Sequence, residues 1–142
     1  MRIAAFSLLL LTSSVAAEDY PLTALEKRFQ ADLNNVTISG AFIEDGIAEM
    51  SEDRYVIERV SKSSGDTWKF QVRMEVNKRE MKFTVPAEVK WAGDTPVILF
   101  SNFPLPGAGM IDARIVLSNS RYAGTWMGKK HGGKMFGNVI KN

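Results

Sequence analysis

The fold is decided by two alternating stretches, WKFQVRMEV at residues 68–76 and MKFTVPAEVKW at residues 81–91. In both, apolar and polar side chains alternate with a period of two, which is typical of a β-strand with one buried and one solvated face. The polar segment Asn77–Glu80 between them is short enough for a turn, so we expect an antiparallel hairpin. Pro86 has no N–H to donate to a sheet, and it therefore marks an edge, a bulge or a bend.

The alternation also assigns side chains to the two faces of the sheet. The residues predicted to point into the core are Phe70, Val72, Phe83, Val89, Ile115 and Trp126. The residues predicted to point to water are Lys69, Arg73, Lys82 and Glu88. A Phe83→Ala substitution is therefore expected to cost about 3–5 kcal/mol, the usual range for a buried Phe.

The same period of two runs through residues 37–140 and is interrupted only by short turns. It predicts about eight strands and no second helix. The acidic stretch Glu44–Asp53 is predicted to be a solvated turn, and Phe103–Gly109 is the longest irregular stretch. The fold class is therefore all-β, an antiparallel meander closed or half-open as a lipocalin- or calycin-like β-barrel.

One short helix is predicted over residues 22–34, ahead of the strands. Leu22, Leu25, Phe29 and Leu33 recur every three or four residues and form one apolar stripe. Thr23 and Glu26 have the spacing of a capping box, in which both side chains bind free backbone N–H groups. The stripe could bind a membrane or a partner, but packing on the helix's own domain is the favoured interpretation.

The N-terminus has the pattern of an export signal. Arg2 precedes the apolar run Ile3–Leu11, and Val15-Ala16-Ala17 has the small residues that a signal peptidase requires, so cleavage before Glu18 is expected. We therefore predict a signal peptide over residues 1–17 and a single domain over residues 18–142. The run is too short for a permanent membrane span. The predicted localisation is periplasmic or secreted, with no integral membrane segment after cleavage.

Composition excludes several classes of function. The chain has 142 residues and no Cys, which excludes thiol catalysis, Fe–S clusters and cysteine-ligated zinc. Its formal net charge of +2 is not that of a nucleic-acid-binding protein. His131 is the only histidine, and no nucleophile stands at motif spacing from it, so we predict no enzyme and no metal site. Gly128–Lys134 has the spacing of a phosphate-binding loop, but Met135 replaces the required hydroxyl, so no cofactor is predicted.

Five residues are candidates for ligand binding. Trp68, Trp91 and Trp126 all fall on predicted strands, where they either fill the barrel or line a pocket for an apolar ligand. Lys130 and His131 lie in a Gly-rich turn that could hold an anionic head group. The alternative for this turn is a plain hairpin whose lysines protect a sheet end.

Several motifs carry a resemblance from Tyr55 to the C-terminus. They are Lys90–Ile98, Pro106-Gly107, Tyr122–Trp126, His131–Gly133 and Phe136-Gly137. On these residues the chain resembles a family of small exported bacterial proteins. The resemblance implies an exported, all-β, single-domain protein and carries over no activity, ligand or partner. The similarity of Gly124-Thr125-Trp126 to the Gly-x-Trp of lipocalins rests on architecture alone, because that motif belongs near the first lipocalin strand.

These observations leave two functions open. The first is an exported, non-enzymatic binding protein that carries a small apolar or amphipathic, anionic ligand inside the barrel. The alternative is a structural or protein-interaction module of the cell envelope with a filled core, which contacts an envelope protein through Phe103–Gly109 or the helix.

Overall fold

The computed structural model describes residues 20–105 and 109–142, which form one helix followed by eight antiparallel strands. Each strand pairs with the next, and β1 pairs with β8, so the meander closes into a barrel. The predicted all-β fold is confirmed. The elements are α1 (Ala24–Leu33), β1 (Val36–Glu44), β2 (Met50–Ser64), β3 (Thr67–Val76), β4 (Arg79–Ala92), β5 (Thr95–Leu105), β6 (Gly109–Ser118), β7 (Arg121–Gly128) and β8 (Gly132–Lys141).

The predicted hairpin consists of β3 and β4, which pair in unbroken register from Thr67↔Glu88 to Val76↔Arg79. Its turn is two residues long rather than four. Asn77 and Lys78 both have positive φ, at 51° and 62°. Two successive left-handed residues match the right-handed twist of the flanking strands, which is why such turns are favoured in tight hairpins.

The two ends of the barrel differ. Both chain termini of the barrel and the tight turns at 65–66, 93–94 and 119–120 lie at one end, which we call the helix end because α1 packs there. The turns at 45–49, 77–78 and 129–131 lie at the opposite end, which we call the mouth.

Helix α1 closes the helix end with its apolar stripe. Phe29 and Leu33 are buried. The Phe29 ring packs edge-on against Trp68 and Trp91, with ring centroids 5.0 and 5.9 Å away. The stripe therefore packs on the helix's own domain, as predicted.

The capping box is only half formed. Thr23 is the N-cap, and its Oγ1 accepts a hydrogen bond from the Glu26 backbone N–H at 3.2 Å. The Glu26 carboxylate instead accepts from Lys62 Nζ of β2 at 2.6 Å. A Lys on the barrel competes better for this carboxylate than a backbone N–H, because the hydrogen bond to the ammonium is charge-assisted.

Two predicted loops are partly strand. β2 begins at Met50, so Glu52 and Asp53 lie in a strand rather than in a solvated turn. β5 extends to Leu105 and β6 begins at Gly109. A bulge between Phe100 and Phe103 shifts the alternation by one residue, which hides this strand from the sequence pattern.

Within the described residues, no helix has the length and apolarity needed to cross a membrane. The predicted signal peptide lies outside the described residues.

Candidate functional site

The most deeply buried inward-facing side chains lie in the helix half of the barrel, and those of the mouth half keep part of their surface accessible. Near the helix end Val60, Trp68, Phe70 and Val89 are at most 1% exposed. Nearer the mouth the inward side chains are only half-buried. We call this group of partly buried inward side chains the mouth chamber; its members are Phe42, Tyr55, Met74, Phe83, Phe100, Phe103, Trp126 and Met135. The barrel is therefore filled around Val60, Trp68, Phe70 and Val89, and solvent reaches part of its mouth half.

Aromatic side chains dominate the mouth chamber. Phe42 and Trp126 meet edge-on with ring centroids 6.2 Å apart, and Phe83 and Phe103 do so at 6.5 Å. Phe100 lies 6.4 Å from Phe103 and links these rings to the core. Such rings present apolar faces and edges to whatever enters the chamber.

Trp126 lies across Gly133, its register partner on β8. A Cβ atom on Gly133 would lie 3.0 Å from Trp126 Nε1, so the missing side chain makes room for the indole. Nε1 is buried and is the one buried side-chain donor without an acceptor among the described residues. An acceptor supplied there would remove a cost of about 1–3 kcal/mol.

The barrel wall splits beside the mouth, between β4 and β5. These strands pair only from Glu88↔Leu99 to Ala92↔Thr95. Each of the two strands stays paired with its other neighbour up to the mouth. β4 pairs with β3 as far as Val76↔Arg79, and β5 pairs with β6 as far as Leu105↔Gly109. Phe83 and Phe103 face each other across the split. Pro86 lies in the β4 segment that has no β5 partner in the described structure, which agrees with its prediction as an edge marker.

A polar pair crosses the inner wall. The Tyr122 hydroxyl donates to Asp53 Oδ2 at 2.6 Å. Burial raises the pKa of Asp53, and the hydrogen bond from Tyr122 only partly offsets this rise. Burial and the nearby Asp53 charge also raise the pKa of Tyr55. Burial and the hydrogen bond to Asp53 raise the pKa of Tyr122 as well, so both phenols stay neutral at physiological pH.

Ion pairs tie the β7–β8 turn to the neighbouring β1–β2 turn. His131 Nδ1 pairs with Glu44 Oε1, and Lys134 Nζ lies 3.2 Å from Asp45 Oδ1. All but Glu44 are exposed. The basic side chains of residues 129–134 thus belong to two groups: His131 and Lys134 have acidic partners, whereas Lys129 and Lys130 have none among the described residues.

The structure does not bring the five predicted site residues together. Trp126, Lys130 and His131 lie at the mouth. Trp68 is buried beneath α1, and Trp91 is also at the helix end. The eight residues of β7 that separate the ends span about 26 Å. One pocket lined by all three tryptophans therefore does not form.

Trp91 instead lines a crevice between α1 and the barrel rim, with a cavity volume of about 430 Å³. Arg28, Arg121 and Lys141 surround it. Arg28 lies 3.9 Å from Asp94, and Lys141 Nζ donates to Ala31 O and Asn34 O at the end of α1. These bonds hold the helix on the barrel, so the crevice is chiefly a joint between the two.

Several chamber residues escaped the sequence prediction. Phe42 and Tyr55 lay on predicted strands but were not selected, and Phe103 lay in a predicted loop. Asp53 shares an inward face with Tyr55, two residues along β2. Extending the alternation back from Tyr55 would have found this inward carboxylate.

No group of three or more His, Asp or Glu among the described residues is arranged to hold a metal ion. Comparison of the chain with protein-family models, curated proteins and solved structures gives no match. Functional conclusions therefore come from the barrel itself.

Proposed function

We propose that the protein is an exported, non-enzymatic binding protein that holds a small amphipathic ligand in its mouth chamber. The observation that carries this proposal is a cluster of inward aromatics in the mouth half that are only partly buried. Val60, Trp68, Phe70 and Val89 deeper in the barrel are at most 1% exposed, whereas Phe42, Phe83 and Phe103 keep part of their surface accessible. A barrel with a filled core alone has no need of solvent-accessible aromatics on its inner face.

The chemistry of the chamber favours an apolar body with an anionic end. Phe42, Phe83 and Phe103 supply apolar contacts, and Trp126 Nε1 offers a donor to an acceptor atom. Lys130 and His131 stand at the rim, where an anionic head group would be half-solvated.

Tryptophan fluorescence tests the proposal because the three indoles divide between the two ends. The variant Trp68→Phe/Trp91→Phe keeps only Trp126 in the chamber. Trp126→Phe keeps the two helix-end indoles and is the matched control. Each protein is titrated with a long-chain fatty acid, and with the alcohol of the same length to separate the effect of the charge.

We expect a saturable emission change at micromolar fatty acid in the Trp126-only protein and little change in Trp126→Phe. A saturable change confined to Trp126→Phe would move the site to the crevice at the helix end. No saturable change in the unmodified protein would eliminate the carrier proposal and favour the structural or protein-interaction module.

A second variant tests the head-group position. Lys130→Ala/His131→Ala removes one lysine and one imidazole donor at the mouth, and Lys27→Ala/Lys69→Ala removes two exposed lysines nearer the helix end. Fatty acid affinity is expected to fall about tenfold or more in the first variant only, since a charge-assisted hydrogen bond contributes about 1.5–3 kcal/mol. Equal affinities in both variants would retain the chamber but reject this head-group site.

A further inference from the structure

Exposed apolar side chains are concentrated around the mouth. Nine large apolar side chains are exposed among the described residues, and five of them belong to the mouth. We call these five the apolar rim: Ile47, Met50, Met81, Met110 and Met127. Met50, Met110 and Met127 are more than half exposed, at 62%, 53% and 60%. They come from three different strands and thus surround the opening.

Cationic side chains stand between the members of the apolar rim. Lys78 and Arg79 lie at the β3–β4 turn, and Lys129 and Lys130 lie at the β7–β8 turn. All four are exposed, and no ion pair engages them in the described part of the chain.

Two acidic groups at the mouth pair with cations, Asp45 with Lys134 and Glu80 with Arg73, and Glu44 contacts the His131 imidazole. The exposed Glu49, Glu52 and Glu75 have no ion pair among the described residues. The positive charge available to a partner is therefore that of the four unpaired cations, which lie on the β3–β4 and β7–β8 sides of the opening.

We propose that the apolar rim and its four cations dock the mouth on an anionic lipid bilayer. Apolar side chains that enter the acyl boundary, combined with Lys and Arg at head-group level, are the combination that binds peripheral proteins to such surfaces. The proposal goes beyond ligand binding, because docking needs only the outer rim. It would place the mouth chamber directly at the source of an amphipathic ligand.

The form of the rim favours a bilayer over a folded protein. Four of its members are single side chains on separate strands and Ile47 is on the β1–β2 turn, with cations between them, rather than one contiguous patch with the packed core of a protein interface. Four of the five are methionines, whose flexible side chains adapt to a fluid surface. A bilayer requires no matching shape, so such a scattered ring suffices.

Co-sedimentation with vesicles tests this inference on the protein without its signal segment. The probes are vesicles of phosphatidylcholine with one-third phosphatidylglycerol, and vesicles of phosphatidylcholine alone. We expect binding to the anionic vesicles that weakens at high salt, and little binding to the neutral ones. Lys78→Gln/Arg79→Gln should lower the affinity roughly 20- to 30-fold, since each cation near the surface contributes about 1 kcal/mol.

Matched variants separate the rim from the rest of the outer surface. Met110→Ser/Met127→Ser removes two rim side chains, and Val116→Ser/Ile140→Ser removes two exposed apolar side chains from outside the rim. Only the first should reduce vesicle binding. Failure of the unmodified protein to sediment with anionic vesicles, or equal losses in both variants, would overturn the inference.

The vesicle experiment tests the docking surface independently of the proposed ligand binding. Met110 and Met127 point outward, so Met110→Ser/Met127→Ser is expected to bind fatty acid normally in vesicle-free buffer. Fatty acid binding without vesicle binding would reject the docking surface alone. Vesicle binding without fatty acid binding would reject the carrier alone.

Discussion

Tyr122 reaches Asp53 across two intervening strands, and its hydroxyl donates to Oδ2 at 2.6 Å. The register partners that lie between them, Gly137 of β8 and Gly40 of β1, are both glycine. A Cβ on Gly40 would lie 2.6 Å from the Tyr122 hydroxyl oxygen, and one on Gly137 would lie 2.7 Å from Cε1 of the ring. The Tyr122 ring therefore lies flat against the inner wall because neither glycine has a side chain there.

Gly137→Ala is expected to destabilise the protein by about 2–4 kcal/mol, because the new methyl group overpacks a fully occupied site. It would meet both the Tyr122 ring and Ser39 O, the latter at 2.5 Å. Gly128→Ala is the matched control, since its nearest neighbour would be 3.3 Å away, and it should cost clearly less. Urea unfolding of the two variants measures the difference in stability. Equal midpoints would contradict the role of Gly137 in making room for Tyr122.

Asp53→Asn is expected to stabilise the folded protein at neutral pH. Burial is the largest influence on Asp53 and raises its pKa above the ordinary value of 3.8. A carboxyl whose pKa is raised on folding imposes no cost below that ordinary value, and it destabilises the fold as pH rises through its folded pKa. Asparagine keeps an acceptor for Tyr122 without the buried charge.

The difference in free energy of unfolding between Asp53→Asn and the unmodified protein is therefore expected to grow from about pH 4 to pH 7. The two proteins must be compared at each pH, because other carboxylates change the stability of both proteins with pH in the opposite direction. The hydrogen bond from Arg73 lowers the pKa of Glu58, so that carboxylate loses stabilising interactions as pH falls. A difference that is constant with pH would contradict the buried charge on Asp53.

The alternation in the sequence was sufficient to predict the barrel because most of its strands have one face in the core. The β3–β4 hairpin, the single helix and the antiparallel meander follow from one period of two or one apolar stripe, whereas the choice between a closed and a half-open barrel was decided by the pairing of β1 with β8. Phe70, Val89 and Ile115 are buried as predicted, and Lys69, Lys82 and Glu88 are exposed. Arg73 is only half-buried among its partners Glu58 and Glu80.

The site was less predictable because it depends on where along the barrel a residue lies. Trp68 and Trp126 have the same inward pattern in the sequence, yet one is under α1 and the other is in the mouth chamber. Strand register and the position of the helix decide at which end of the barrel each indole lies. Neither can be predicted from the local alternation of apolar and polar residues. The bulge before Phe103 had a similar effect, since one extra residue made an inward aromatic look like part of a loop.

Breaking the ion pair between Glu26 and Lys62 is expected to loosen α1 from the barrel. The side chains are only 12% and 16% exposed, so either charge left alone would be poorly solvated. Glu26→Gln should cost about 2–3 kcal/mol, somewhat below the cost for fully buried pairs. Asp94→Asn, which breaks the exposed pair with Arg28, should change stability by less than about 0.5 kcal/mol.

The double variant Glu26→Gln/Lys62→Met is expected to recover much of this loss, because it leaves no unpaired charge beneath the helix. Thermal unfolding followed by circular dichroism measures all three variants. A double variant no more stable than Glu26→Gln would show that the cost comes from lost packing rather than from the unpaired charge of Lys62.

The N-terminal pattern predicts a mature chain that begins at Glu18. Expression of the full gene in a bacterial host, followed by fractionation and N-terminal sequencing, tests it directly. We expect the sequence Glu18-Asp19-Tyr20 in the periplasm or medium. Retention of Met1 on the accumulated protein would refute the export signal.

Phe70→Ala and Phe83→Ala together test the division of the barrel into a filled half and an accessible half. Phe70 is 1% exposed and packs against Phe29 and Phe100, so its truncation should cost about 3–5 kcal/mol. The sequence led to the same expectation for Phe83, but that ring is only half-buried and its aromatic neighbour is Phe103 across the split. Its truncation should cost less, about 1–2 kcal/mol, because part of its surface is never removed from water.

The same Phe83→Ala variant should weaken fatty acid binding, whereas Phe70→Ala, measured well below its unfolding temperature, should not. Equal stability losses at both positions, with unchanged fatty acid affinity in Phe83→Ala, would mean that the mouth half is as filled as the helix end.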